Sequence, residues 1–62
     1  MNEEKVKNLF RYEHLPPHLQ LVSKPFHDMA LTILKETMAT PEQTLALRKL
    51  WEAKNLIVWD AS

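Results

Sequence analysis

The chain has no glycine, no cysteine and no net charge, and each absence removes a class of function. Without cysteine there are no disulfides, and the commonest structural zinc sets, which rest on thiolates, are excluded. Without glycine the phosphate-cradling loops of the Walker and dinucleotide-binding types cannot be built, and helices lose their usual left-handed cap at the C-terminus. Eight basic side chains balance eight acidic ones, so no global field draws the protein to DNA, RNA or an anionic membrane. No apolar run approaches the ~18 residues of a membrane span. The opening MNEEKVKNLF is too charged for a secretory apolar region. The expectation is a soluble intracellular protein that needs no cofactor.

Length sharpens the problem. A chain of 62 residues forms one domain, and a core of that size contributes about 3–5 kcal/mol by itself. Small domains add disulfides, a metal or association with further copies. Here association is the route left.

What is present is helical. The stretch TPEQTLALRKLWEAKNLIVW, 41–59 after its cap, carries a complete start signal: Thr40 as N-cap, Pro41 at the first helical position, Glu42 in the first turn and Gln43 three residues after the cap. That is a capping box, in which Thr40 Oγ1 accepts from the Gln43 N–H while the Gln43 side chain reaches back. Leu47, Leu50, Trp51, Lys54, Ile57 and Val58 then share one face. Leu45, Ala53, Leu56 and Trp59 lie outside it, so a single partner helix would leave apolar surface uncovered.

Residues 1–10 carry Asn2 as a cap, acids in the first turn and lysines after it, the pattern of a short helix. A frayed terminus fits the same residues, because so short a helix is marginal alone. Residues 11–18, RYEHLPPH, form a connector in which two prolines force an extended turn. Arg11 beside Tyr12 is a platform for stacking a base and contacting a phosphate; packing of Tyr12 over the helix end is the alternative.

A long helix follows over 17–38, with Leu19, Val22, Phe26, Met29 and Ile33 as its seam and Ala30, Leu31, Leu34 and Met38 as a second strip. Pro25 interrupts it, so either the helix kinks or Ser23 caps a second segment that begins at Lys24. Both readings set Ser23 and Lys24 beside freed backbone groups, a polar notch usable by an anion. The short connection through Thr40 makes the two long helices antiparallel neighbours. The fold class is therefore all-α, an antiparallel helical hairpin with a short N-terminal helix, assembling as a homo-oligomer.

Catalytic and metal chemistry find little support. His14 and His18 are four apart, but Pro16 and Pro17 lie between them and no acid or thiol completes a tetrahedral set. Ser23, His27 and Asp28 are close in sequence without an oxyanion hole or deep cleft. No metal site and no enzyme activity are expected. Arg48, Lys49 and Lys54 form the densest basic group, tempered by Glu52, which can pair with Arg48 one turn away. A solvated helix face is the plain reading of that group. The other is that Lys24, Arg48, Lys49 and Lys54 meet across a helix pair or a subunit boundary, with Tyr12 as an aromatic wall, and bind a small dianion.

A Tyr-x-x-Leu turn (Tyr12, Leu15), an amphipathic helix, a tight connection and a last helix with Ala46-Leu47-Arg48, Ala53 and Val58 together resemble the phage-encoded hairpin proteins that counter CBASS and Thoeris immunity. The resemblance spans roughly Arg11 to Ala61. It implies a viral, non-catalytic sponge, typically hexameric, that sequesters cyclic di- or trinucleotide signals in the cytoplasm of the infected bacterial host, without DNA or membrane as partner. It also implies that Tyr12 stacks on a base and that Arg48 lies near phosphates. The family's phosphate-binding lysine would fall near Phe26 or His27; the lysine present is Lys24, and Arg11 stands where the family often has glycine. The ligand set expected is Tyr12, Lys24, Arg48, Arg11, Ser23 and Lys49. The rival class is an interaction module whose apolar faces dock on a host or phage protein; a small DNA-binding regulator is the third.

Overall fold

A computed structural model describes residues 1–62. It contains three helices and no strand: α1 (Glu3–Leu9), α2 (Pro17–Glu36) and α3 (Pro41–Ala61). α2 packs chiefly on α3, and α1 more narrowly on α2, in a body of 33 × 17 × 15 Å. No helix is long and apolar enough to cross a membrane.

The helix starts follow their local chemistry. Asn2 Oδ1 accepts from the Lys5 N–H at 2.7 Å, with Glu3 and Glu4 in the first turn where the helix dipole favours them. Thr40 Oγ1 accepts from the Gln43 N–H at 3.1 Å. The reciprocal half of the expected capping box is absent. Gln43 Nε2 donates instead to Thr37 Oγ1 at 3.0 Å and to the Thr37 carbonyl at 3.3 Å, which ties α3 to the end of α2.

The helix ends show how a chain without glycine terminates. No residue has positive φ. Hydroxyls close the last turns instead: Thr37 Oγ1 donates to the Ile33 carbonyl at 2.6 Å and Ser62 Oγ to the Val58 carbonyl at 2.7 Å. At the end of α1, Lys54 Nζ, reaching across from α3, donates to the Leu9 carbonyl at 3.0 Å. α2 accordingly stops at Glu36, short of the expected Met38, and α3 runs on to Ala61.

Val6, Phe10, Ala30 and Leu47 form the buried core where the three helices meet, with Phe26, Ile33, Leu50 and Trp51 packed around it. The seam of α2 is rotated from the expected one: Leu19, Ser23 and Ala30 are buried, Phe26 and Ile33 are half-buried, and Met29 is exposed. The physical reason is size. Ser23 and Ala30 let the helices approach closely, whereas Met29 would hold them apart. Leu31 and Leu34 of the second strip pack against the core, but Met38 lies outside the helix and is exposed.

Pro25 lies inside one unbroken helix, so Ser23 caps no second segment. Ser23 is instead wholly buried, and its Oγ has no hydrogen-bond partner. An unpaired buried hydroxyl costs free energy, so Ser23→Ala is expected to leave stability unchanged or raise it by about 1 kcal/mol. Urea denaturation reads this directly, and a loss above that magnitude would show that Ser23 has a partner after all.

Candidate functional site

The connector between α1 and α2 is folded back onto α2 by its own backbone. Leu15 N–H donates to the Tyr12 carbonyl at 3.0 Å. Gln20 Nε2 donates to the Leu15 carbonyl at 2.8 Å and to that of Glu13 at 3.3 Å, so one side chain of α2 holds the turn. Pro16, extended ahead of Pro17, delivers the chain to α2, which begins at Pro17.

That geometry places Tyr12 against the middle of α2. Its ring meets His27 edge-on, with centroids 5.0 Å apart and planes at 67°, an arrangement favoured by the ring quadrupoles. Packing of Tyr12 over the helix end is the alternative open from sequence; the ring contact observed is with His27, in the interior of α2. One turn away on α2, Lys24 Nζ pairs with Asp28 Oδ2 at 3.0 Å, and His27 Nδ1 lies 3.0 Å from Asp28 Oδ1. The His27 contact, and after it the Lys24 bond, hold the Asp28 carboxyl below its ordinary value; Asp28 in turn raises Lys24. Both groups are exposed, so the ion pair adds little to stability. Its importance is that Lys24 is already engaged.

Tyr12, Gln20, Leu21, Lys24, Pro25 and Asp28 line an open cavity of about 340 Å³, with Pro17 at its edge. Two of the expected ligand residues, Tyr12 and Lys24, thus meet in one place. The others do not. Arg11 is exposed and does not line the cavity, and Ser23 is buried in the core. Arg48 lines a separate cleft of about 230 Å³ together with Lys5, Leu9, Trp51 and Glu52, while Lys49 is exposed on α3. The expected Arg48–Glu52 ion pair is absent, leaving both side chains unpaired in that cleft.

Gln20, His27 and Asp28 are the polar residues at or beside the cavity that sequence reasoning did not assign to a ligand. The four-residue spacing of Lys24 and Asp28 on one helix was a usable signal for their pairing. Nothing local pointed to Gln20, whose role depends on the path of the connector.

Lys54 shapes the site from a distance. Its bond to the Leu9 carbonyl fixes the end of α1, and the buried Phe10 follows immediately, so the connector leading to Tyr12 starts from an anchored point. Burial lowers the Lys54 pKa. Lys54→Met keeps the apolar stem and removes the donor, leaving the Leu9 carbonyl unpaired, and is expected to cost about 1–2 kcal/mol in urea denaturation. The pH dependence has a definite sign. Because the folded-state pKa is depressed, the folded protein releases this proton before the unfolded one, and the penalty on the charged form operates below the folded pKa. The contribution of Lys54 to native stability therefore rises as pH climbs from that depressed value toward the ordinary 10.5. In Lys54→Met this rise is lost.

Compared with protein families, with curated proteins and with solved structures, the chain matches none.

Proposed function

We propose that the protein is a non-catalytic sponge for a cyclic oligonucleotide signal, acting as an antiparallel helical hairpin that assembles with further copies of itself. The observation that carries this reading is the meeting of Tyr12 and Lys24 in one open cavity, an aromatic ring held edge-on by His27 beside an amine. A cyclic dinucleotide presents flat bases and phosphates at a matching scale. Base stacking on an aromatic side chain and a charge-assisted contact to phosphate are what such a pair supplies.

A second observation supports assembly. Leu45, Leu56, Ile57 and Trp59 of α3 and Leu21, Met29 and Met38 are exposed in the isolated chain, and contact with further copies would take such side chains out of water. Closed symmetry would bury it and bring cations of one copy to the cavity of another. Arg48 and Lys49, which lie away from the Tyr12 cavity of their own chain, contact phosphate on this reading from a neighbouring copy. A hexamer in the cytoplasm of a phage-infected bacterium is the assembly and setting that the family resemblance suggests.

Titration calorimetry against a panel of cyclic di- and trinucleotides tests the reading. Binding of at least one is expected, and absence of heat at tens of micromolar with all of them overturns it. Tyr12→Ala is expected to weaken the bound ligand by roughly tenfold to a hundredfold, the worth of one base–aromatic stack. Unchanged affinity in that variant would remove the site while leaving the activity. A tight pull-down of one bacterial or phage protein by a monomeric chain would favour the interaction module instead.

A further inference from the structure

The cavity at Tyr12 offers its ligand an unusual set of polar groups for a site that binds an anion. Its one cation, Lys24, is neutralised by Asp28 at 3.0 Å. Gln20 has its amide nitrogen committed to two backbone carbonyls, which orients the side chain so that Oε1 is the free end. Asp28 is a carboxylate, an acceptor with lone pairs beyond those that Lys24 and His27 engage. The lining therefore offers acceptors at Asp28 and Gln20 Oε1 as well as the remaining N–H donors of Lys24 and the Tyr12 hydroxyl, set beside the apolar surfaces of Leu21 and Pro25. Phosphate, an acceptor itself, does not match Asp28. A base edge rich in donors does.

Resting on the sponge reading, we propose that Asp28 makes this a guanine-selective site: its carboxylate accepts from the N1–H and N2–H of a guanine stacked at Tyr12. Of the common bases, guanine alone places two donors side by side on its Watson–Crick edge, the pattern that two carboxylate oxygens accept together. Adenine presents a donor beside an acceptor, and its N1 lone pair faces the Asp28 charge. Selectivity arises from both terms, a gain with guanine and a repulsion with adenine. The two N–H groups of Lys24 not used on Asp28 remain for the ligand's phosphate.

The test is the ratio of dissociation constants for cyclic di-GMP and cyclic di-AMP, measured by calorimetry on the full chain and on Asp28→Asn. The native protein is expected to prefer cyclic di-GMP by about tenfold or more, the low end of what one bidentate pair discriminates. An amide offers one donor and one acceptor, which suits adenine, so Asp28→Asn is expected to collapse the ratio to near one or reverse it. Asp28 is exposed and makes no core contact, so the variant keeps its fold, and circular dichroism confirms this. Equal binding of both probes by the native protein, or a preference that persists in Asp28→Asn, overturns guanine selectivity and leaves the sponge intact. Binding of other cyclic nucleotides but neither of these two overturns selectivity in the same way. Failure of the whole panel removes the sponge and this inference together.

Discussion

Phe10→Ala is expected to leave most of the chain unfolded at room temperature. Phe10 is wholly buried at the point where all three helices meet, one turn after Val6 on α1 and packed in the same cluster as Ala30 of α2 and Leu47 of α3. Removing a buried phenyl ring typically costs about 3–5 kcal/mol, through lost transfer energy and the cavity left behind. A core in a domain this small supplies a margin of about the same size, so one substitution can consume it. The loss also releases the start of the connector that carries Tyr12, because Phe10 is the anchored residue nearest to it. Circular dichroism at low micromolar concentration should show helicity well below the native level. Phe10→Leu fills much of the space and is expected to retain a cooperative transition at a lower midpoint. A Phe10→Ala protein that unfolds cooperatively within about 1 kcal/mol of the native one would mean that α1 is dispensable to the core, contrary to its packing.

The elements and their starts were legible because they rest on residues that act locally. Asn2, Pro17, Thr40 and Pro41 announce helices through orphaned N–H groups and a fixed φ, whatever lies elsewhere in the chain. The absence of glycine correctly excluded a left-handed cap, yet did not say what replaces it. Two replacements are local hydroxyls, at Thr37 and Ser62; the third, Lys54 on the Leu9 carbonyl, joins residues too far apart in sequence for any spacing rule. The rotation of the α2 seam escaped for a related reason. Periodicity weights large apolar side chains, while Ser23 and Ala30 hold the interface by being small. At the candidate site, Tyr12 and Lys24 were recognisable by type. Their placement in one cavity, and the separation of Arg48 from them, follow from how Gln20 pins the connector and from which face α3 turns to α2.

Replacing Leu56 and Trp59 together by aspartate is expected to convert the proposed assembly to monomers without unfolding the chain. The two side chains are 69% and 82% exposed, so within one copy they contribute little that a charge would remove. Beyond Asn55, α3 keeps only Val58 half-buried; the remaining large apolar side chains there face outward. Each, if covered by a neighbouring copy, contributes about 1.5–3 kcal/mol of burial. An aspartate in the same position must be desolvated without a partner, which reverses the sign of the contribution. Two such changes per copy, repeated around a closed ring, oppose assembly at every junction. Light scattering should therefore give a mass several times 7.3 kDa for the native protein and close to 7.3 kDa for the double variant, with helicity preserved. The same variant separates assembly from ligand contact. Tyr12 and Lys24 remain in their cavity, whereas Arg48 lines a different cleft of its own chain and on the proposed reading contacts the ligand from another copy, so affinity for a cyclic nucleotide should fall although no residue lining the cavity has changed. A variant that is monomeric but binds with native affinity would place the whole site within one chain and remove Arg48 from it. A native protein that is itself monomeric would remove the assembly, and leave the apolar end of α3 to a partner of another kind.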